Sequence, residues 1–385
     1  MASNFDPKSL AAMNKTVRQR VRKKAANKTP TPEAYNNQQL DLFQTFLVNT
    51  PAERDALSNS IALWDNVPRY SISRIKQTEL RNSKDGFPPI LNLPFQYLGV
   101  ELVAQIRPAR IEIRDEQGVT TGKTIDCYPA AREELIEHAL RKLATQQNLG
   151  YLDMGIFSCG VSFSLHQLRK ELADRGHAMK YADLVAGLDV MNLANIRIID
   201  PSSNTNDFDF DSQAYLPRLS KVSKRPKGDE VDPEARWLVQ FHSALTRSID
   251  QLTYRQFNYA RLMRCRSQLS RWLLTQLVLK YTFASMTDPF KLLYSTVQRD
   301  SGLLSNYSEK RKGIDKLDAA LDEIQEEGVL MGFERLVRSG VRGAIQDVEY
   351  TLRPTRQFVG EQKAANKRLA EAETRLQLVQ SAQSA

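Results

Sequence analysis

The chain has 385 residues, of which 41% are hydrophobic and 26% charged, the balance of a soluble globular protein with room for two or three domains. An excess of basic residues leaves a net charge of +9 and a pI near 9.3, so an acidic polymer suits it better as a partner than a small metabolite. No segment approaches the ~18 unbroken apolar residues of a membrane helix, and the N-terminus lacks the apolar core of a signal peptide.

Catalytic chemistry has no obvious place in this sequence. Cys127, Cys159 and Cys265 are far apart and show no C-x-x-C spacing, which points to structural thiols in a reducing cytoplasm. His138, His166, His177 and His242 are scattered without metal-ligand spacing. There is no phosphate-binding loop, dinucleotide fingerprint or nucleophile elbow. The expectation is a cytoplasmic protein that is not an enzyme and uses no cofactor or metal.

Residues 1–50 read as a flexible basic arm. Arg18, Arg20, Arg22, Lys23 and Lys24 crowd into it, either to touch a polyanion or as a solvated tail. Near its end stands Gln39-Leu40-Asp41-Leu42-Phe43, an amide followed by two apolar anchors. This peptide resembles the Q-L-[SD]-L-F element by which bacterial replication and repair proteins bind the polymerase sliding clamp. The plainer reading is an amphipathic turn opening a helix, since Phe46, Leu47 and Val48 continue the apolar run.

Residues 51–202 have the element order of a winged helix. Leu57, Ile61 and Trp64 suggest a helix over 52–63, followed by strands at 69–75, 97–106, 109–114 and 121–127. A long helix follows Pro129 and runs to about 147, then a strand pair covers 155–163. Ser164 is placed to cap a short helix that Gly176 ends. Lys180 opens a second helix, and 196–199 closes the unit as a strand. The spacing of helix, strand, short helix, turn, helix and strand suits a DNA-reading helix-turn-helix.

Residues 203–255 read as exposed hairpin and linker. Asp207, Asp209 and Asp211 offer the one tempting carboxylate run for a metal-dependent nuclease, with a polar hairpin as the simpler account. Residues 256–360 repeat the winged-helix order: a helix over 257–281, a short helix over 290–300, a turn at Ser301-Gly302, a third helix over 309–327 and wing strands at 329–337 and 347–352. Residues 361–385 form a charged tail that looks like a frayed, exposed helix. The fold class expected is α+β, mostly helical, with two tandem winged-helix domains behind a basic arm.

The third helix of the second unit is the strongest DNA-reading candidate. Ile314, Leu317, Leu321 and Ile324 make its buried stripe, while Lys310, Arg311, Lys312 and Lys316 crowd its N-terminal turns behind Ser308. Cations there oppose the helix dipole by a few tenths of a kcal/mol each. A polyanion at that end would offset the cost. Arg353 and Arg356 beyond the wing are further phosphate ligands, with Arg335 and Arg338 as weaker ones. Lys180, with Arg175 and His177, is the corresponding feature of the first unit, whose second helix is less basic. Arg261, Arg264, Arg266 and Arg271 suit solvation, ion pairs or DNA equally.

Tandem winged-helix units behind Gln39–Phe43, ending in a helix with Leu321 and Glu327-Gly328-Val329-Leu330 leading into a wing, resemble the plasmid replication initiators of the TrfA type. The resemblance spans roughly residues 38 to 360, and region 200–255 has no clear counterpart in it. It implies a bacterial protein acting on plasmid DNA: binding to directly repeated origin sites, opening of an A·T-rich segment, and recruitment of replicative helicase, host initiator and sliding clamp. It also implies exchange between a homodimer and a monomer, no ATPase or nuclease, and no membrane. The alternatives are a winged-helix repressor of plasmid or phage origin, which needs no clamp peptide, and a clamp-tethered enzyme.

Overall fold

A computed structural model describes residues 55–82, 88–114, 120–145, 149–153, 158–202, 210–222, 235–251, 253–305, 307, 309–340 and 343–384. Every described residue belongs to the unit Thr45–Ala385. The clamp-like peptide Gln39–Phe43, Ser308, Asp207 and Asp209 therefore lie outside the described residues.

One arrangement of elements occurs twice. In the first copy, helix α2 (Ala131–Ala144) leads to strands β6 (Gly150–Asp153) and β7 (Ser158–Ser164), helices α3 (Leu165–Asp174) and α4 (Tyr181–Leu193), and later strands β10 (Arg218–Val222) and β11 (Arg236–Gln240). In the second, helix α7 (Gln268–Lys280) leads to β13 (Phe290–Leu293), α8 (Tyr294–Ser301), α9 (Lys310–Glu326), β14 (Leu330–Ser339) and β15 (Ile345–Pro354). Their sheets run β10-β11-β7-β6 and β13-β15-β14. In both, the strand before the helix pair bonds antiparallel to the last strand, which puts the middle strand at the edge. That is winged-helix topology, made twice by sequences with different local patterns.

Around these copies lie β1 (Leu57–Ile61), α1 (Arg74–Arg81), β2 (Leu91–Tyr97), β3 (Val100–Arg107), β4 (Ala109–Arg114), β5 (Thr120–Cys127), β8 (Asn195–Ile199), β9 (Phe210–Ala214), α5 (Ser243–Asp250), β12 (Tyr254–Asn258), α6 (Tyr259–Arg264) and α10 (Arg356–Ser384). The fold is α+β, with ten α-helices and fifteen strands among the described residues. Strands are thus far more prominent than the mostly helical content expected from the sequence.

The differences have physical causes. Residues 57–61 form a strand, because β1 pairs with β12 from Leu57↔Asn258 to Ile61↔Tyr254. Such distant pairing overrides the helix-like spacing of Leu57, Ile61 and Trp64. Strand β8 pairs with β3 and β9, not with the first wing, whose strands β10 and β11 arise from the region read as hairpin and linker. The long helix expected over 257–281 is broken at Cys265-Arg266-Ser267. The Ser267 hydroxyl accepts from Ser270 N to cap α7, and the Ser267 N–H donates to Glu323 Oε2 at 3.2 Å. Helix α2 starts after Pro129 at an Ala130 cap, where Glu133 accepts from the Ala130 N–H at 2.9 Å. Residues 290–293 are strand β13 before α8 begins. The C-terminal helix is not merely frayed, since Phe358, Val359, Gln362 and Ala365 are buried.

A cluster of buried charge joins segment 64–71 to α2 of the first copy. Arg69 Nη2 lies 2.9 Å from Asp65 and 3.0 Å from Glu137, and Arg141 Nη1 lies 2.7 Å from Asp65. Trp64 Nε1 donates to Glu137 at 2.6 Å, and its ring stacks on His242 at 4.5 Å. Burial alone would raise the Asp65 carboxyl, but the guanidinium groups of Arg141 and Arg69 override it and hold it well below the ordinary carboxylate range. From the second copy, Arg271 reaches Glu134 at 2.9 Å and Gln268 donates to the Tyr70 carbonyl at 2.9 Å. Gly302 adopts φ +64°, and a Cβ there would lie 2.8 Å from Ser71 Cβ. The segment 64–71 is therefore wedged between α2 and the second copy.

Candidate nucleic-acid interface

Helix α9 buries the expected stripe. Ile314, Leu317, Leu321 and Ile324 face the core, joined by Gly313 and Ala320. Gly313 permits this approach, because a Cβ there would sit 2.1 Å from Tyr294 Oη on α8. The opposite face exposes Arg311, Lys312, Asp315, Lys316, Ala319 and Asp322. Winged-helix topology places this helix where a recognition helix belongs, so its first turns are the part that can meet base edges and phosphates.

The four N-terminal cations are not equivalent. Lys310 Nζ donates to the Gln346 carbonyl at 2.7 Å, tying the helix start to β15. Lys312 pairs with Glu309, the N-cap residue, at 2.7 Å, which offsets part of the unfavourable dipole term. Arg311 and Lys316 are exposed and make no ion pair among the described residues. Of the acids at the other end, Asp322, Glu323, Glu326 and Glu327, two have work within the chain. Glu323 accepts from the Arg266 and Ser267 amides and from the Ser270 hydroxyl at the start of α7, and Glu327 pairs with Arg264 at 2.8 Å. Half of the unfavourable charge pattern is therefore explained by intrachain contacts, leaving Arg311 and Lys316 as the cations free for an anion.

Beside α9 the β14–β15 hairpin protrudes. Its register runs from Leu330↔Pro354 to Ser339↔Ile345, and every residue of β14 from Glu334 to Ser339 is exposed. Arg335 pairs with Asp318 of α9, and Asp318 also accepts from the Tyr350 hydroxyl at 2.7 Å. Arg338 points to the other face of the wing and pairs with Glu349, which Lys291 also approaches at 3.0 Å. Arg353 pairs with Glu334 at 3.0 Å with both side chains largely exposed, a contact worth little in water. Arg356 is exposed at the start of α10.

In the first copy, Lys180 is exposed at the N-cap of α4. Helix α4 itself contains no Lys or Arg, is packed along β4, and approaches α2 so closely that a Cβ on Gly187 would lie 2.5 Å from Ile136 Cδ1. Arg175 is occupied by Asp55 at 2.8 Å and Glu171 at 3.2 Å, and His177 Nε2 lies 2.6 Å from the Met263 carbonyl. Arg261 and Arg271 are buried in ion pairs with Glu361 and Glu134. Sequence reasoning missed the exposed cations of the first wing, Arg218, Lys221 and Arg236. The alternation Arg236-Trp237-Leu238-Val239-Gln240 was the available signal, with Trp237 and Val239 buried between half-exposed or exposed neighbours.

Among the described residues no group of His, Cys, Asp or Glu could hold a metal ion, and no helix is long and apolar enough to cross a membrane. No protein-family profile matches the chain, and no curated protein matches it. The chain is partly similar to solved structures, among them these two. One contains domains 2 and 3 of RctB, with 11% identity and a TM-score of 0.41 over 69% of this chain and 90% of that one. The other is the Pi initiator protein in complex with iteron DNA, with 10% identity and a TM-score of 0.32 over 79% of this chain and 99% of that one. Likenesses this distant leave the function to be argued from the residues.

Proposed function

We propose that this chain is a plasmid replication initiator of the TrfA-like type. It binds directly repeated sites in duplex DNA through the first turns of α9, helps open an A·T-rich segment, and brings helicase, host initiator and sliding clamp to the origin, with plasmid copy control as a consequence. The observation that carries the DNA-binding part is the exposed cationic start of α9, with Arg311 and Lys316 in no ion pair among the described residues, beside a protruding wing. A helix whose other face is fully committed to the core keeps these groups only at a cost, which a polyanion offsets. The clamp-binding part rests on the residue types of Gln39–Phe43.

Deleting Gln39–Phe43 tests the reading as a whole. Binding to directly repeated DNA should survive while plasmid replication fails, and clamp capture should be lost. Normal replication would remove the clamp from the account. Intact DNA binding with no replication role in the parent chain would turn the protein into a repressor.

A further inference from the structure

Asp318 sits awkwardly on a surface meant for DNA. It lies midway along α9, seven residues beyond Arg311 and hence on the same edge of the helix, roughly 10 Å along the axis. A carboxylate there repels phosphate unless it does something else. Its side chain is only 23% exposed, and Oδ1 is anchored by the hydroxyl of Tyr350, itself wholly buried. Its other oxygen takes Nη1 of Arg335, whose side chain is 50% exposed. No other partner of Arg335 occurs among the described residues, so most of its donor fork faces outward.

The arrangement is a sunk, fixed carboxylate holding a half-exposed guanidinium at the flank of the reading helix. An exposed pair of this kind adds little to stability. It does remove the rotamer freedom of a long side chain before a ligand arrives. We propose that Asp318 is a positioning residue for DNA: clamped by Tyr350, it presents the free edge of Arg335 to a backbone phosphate beside the groove that α9 enters. The proposal rests on the DNA-binding reading given above.

Simple electrostatics and positioning predict opposite signs. Removing a negative charge from a polyanion-binding surface should tighten binding. If Asp318 positions Arg335, Asp318→Asn in the full chain instead weakens binding to repeat DNA, roughly threefold to tenfold. The slope of log affinity against log salt should fall by about one, as for Arg335→Ala. The double variant should be no worse than Arg335→Ala alone. Tyr350→Phe, which changes no charge, should weaken binding in the same direction. Glu349→Gln, on the opposite face of the wing, controls for loss of a carboxylate and should not weaken binding.

Unchanged or tighter binding by Asp318→Asn would overturn the proposal, as would an equal loss in Glu349→Gln. A parent chain that binds no duplex would instead sink the DNA-binding reading itself. Thermal unfolding of each variant separates a lost contact from a lost fold.

Discussion

Replacing Arg311 and Lys316 by Ala, singly and together, should remove phosphate contacts one at a time. Both side chains are exposed on α9 and make no ion pair among the described residues, so neither substitution leaves a buried partner stranded. Each neutralised phosphate contributes about 0.9 to the slope of log affinity against log salt. Between 50 and 200 mM salt, a fourfold change, one such contact is worth about 3.5-fold in affinity and two about twelvefold. The parent chain should therefore show the steepest decline, each single variant a slope shallower by about one, and the double variant by about two. Fluorescence anisotropy on a labelled repeat duplex at several salt concentrations measures this directly. Lys312→Ala should change the slope less, because Glu309 already neutralises that ammonium at 2.7 Å. Equal slopes in parent and double variant would refute the assignment of α9 as the reading helix.

The buried cluster makes its own predictions. Asp65→Ala leaves Arg69 and Arg141 short of a counterion in a dry site, which should cost about 3–5 kcal/mol of stability by denaturant titration. Acid should act on the same place. The folded His138 has its pKa pushed down to about 4 by burial and by Arg141, so its contribution is complete above the unfolded value of about 6.5 and is lost as pH falls through that window. The depressed carboxyl of Asp65 adds a further loss below about pH 4, where the unfolded carboxylate takes up its proton. The unfolding midpoint should therefore decline below about pH 6.5 and more steeply below 4. Gly313→Ala, which sets a methyl 2.1 Å from Tyr294 Oη, should cost about 1–3 kcal/mol, with Tyr294→Phe recovering part of it in calorimetry.

What was legible in the sequence was local. The stripe Ile314, Leu317, Leu321 and Ile324, the Ser164 cap and the Gly176 turn at φ +86° each depend on residues within a turn or two, and all stand where expected. The elements that were missed depend on distant partners. Strand β1 exists because β12 lies beside it, and the first wing forms because β11 returns to β7 across two helices and an inserted strand pair. The site divides the same way. The cations of α9 could be read off directly, but which of them are already occupied could not, since Lys310 answers to Gln346 and Lys312 to Glu309. Arg353 and Arg356 looked equally suited by sequence. In the fold, the wing arginine linked to α9 is Arg335.

The junction between the copies decides how they would act on DNA. Two winged helices on a loose tether must each spend orientational entropy on docking. Here Arg271 of the second copy pairs with Glu134 of α2, Gln268 and Gln276 donate to the Tyr70 and Asp65 carbonyls of segment 64–71, and Asp65 and Arg69 of that segment pair in turn with Arg141 and Glu137 of α2. Breaking such a network strands charges out of water, so the copies do not separate cheaply. A body of this kind offers α9 and the first wing at one fixed spacing, and under the proposed reading that spacing would select the DNA. The asymmetry between the copies has the same logic. With no Lys or Arg in α4 and that helix packed along β4, the first copy would gain nothing from an independent search under the proposed reading, and fixing it to the second would let Arg218 and Arg236 be delivered wherever α9 had found its site.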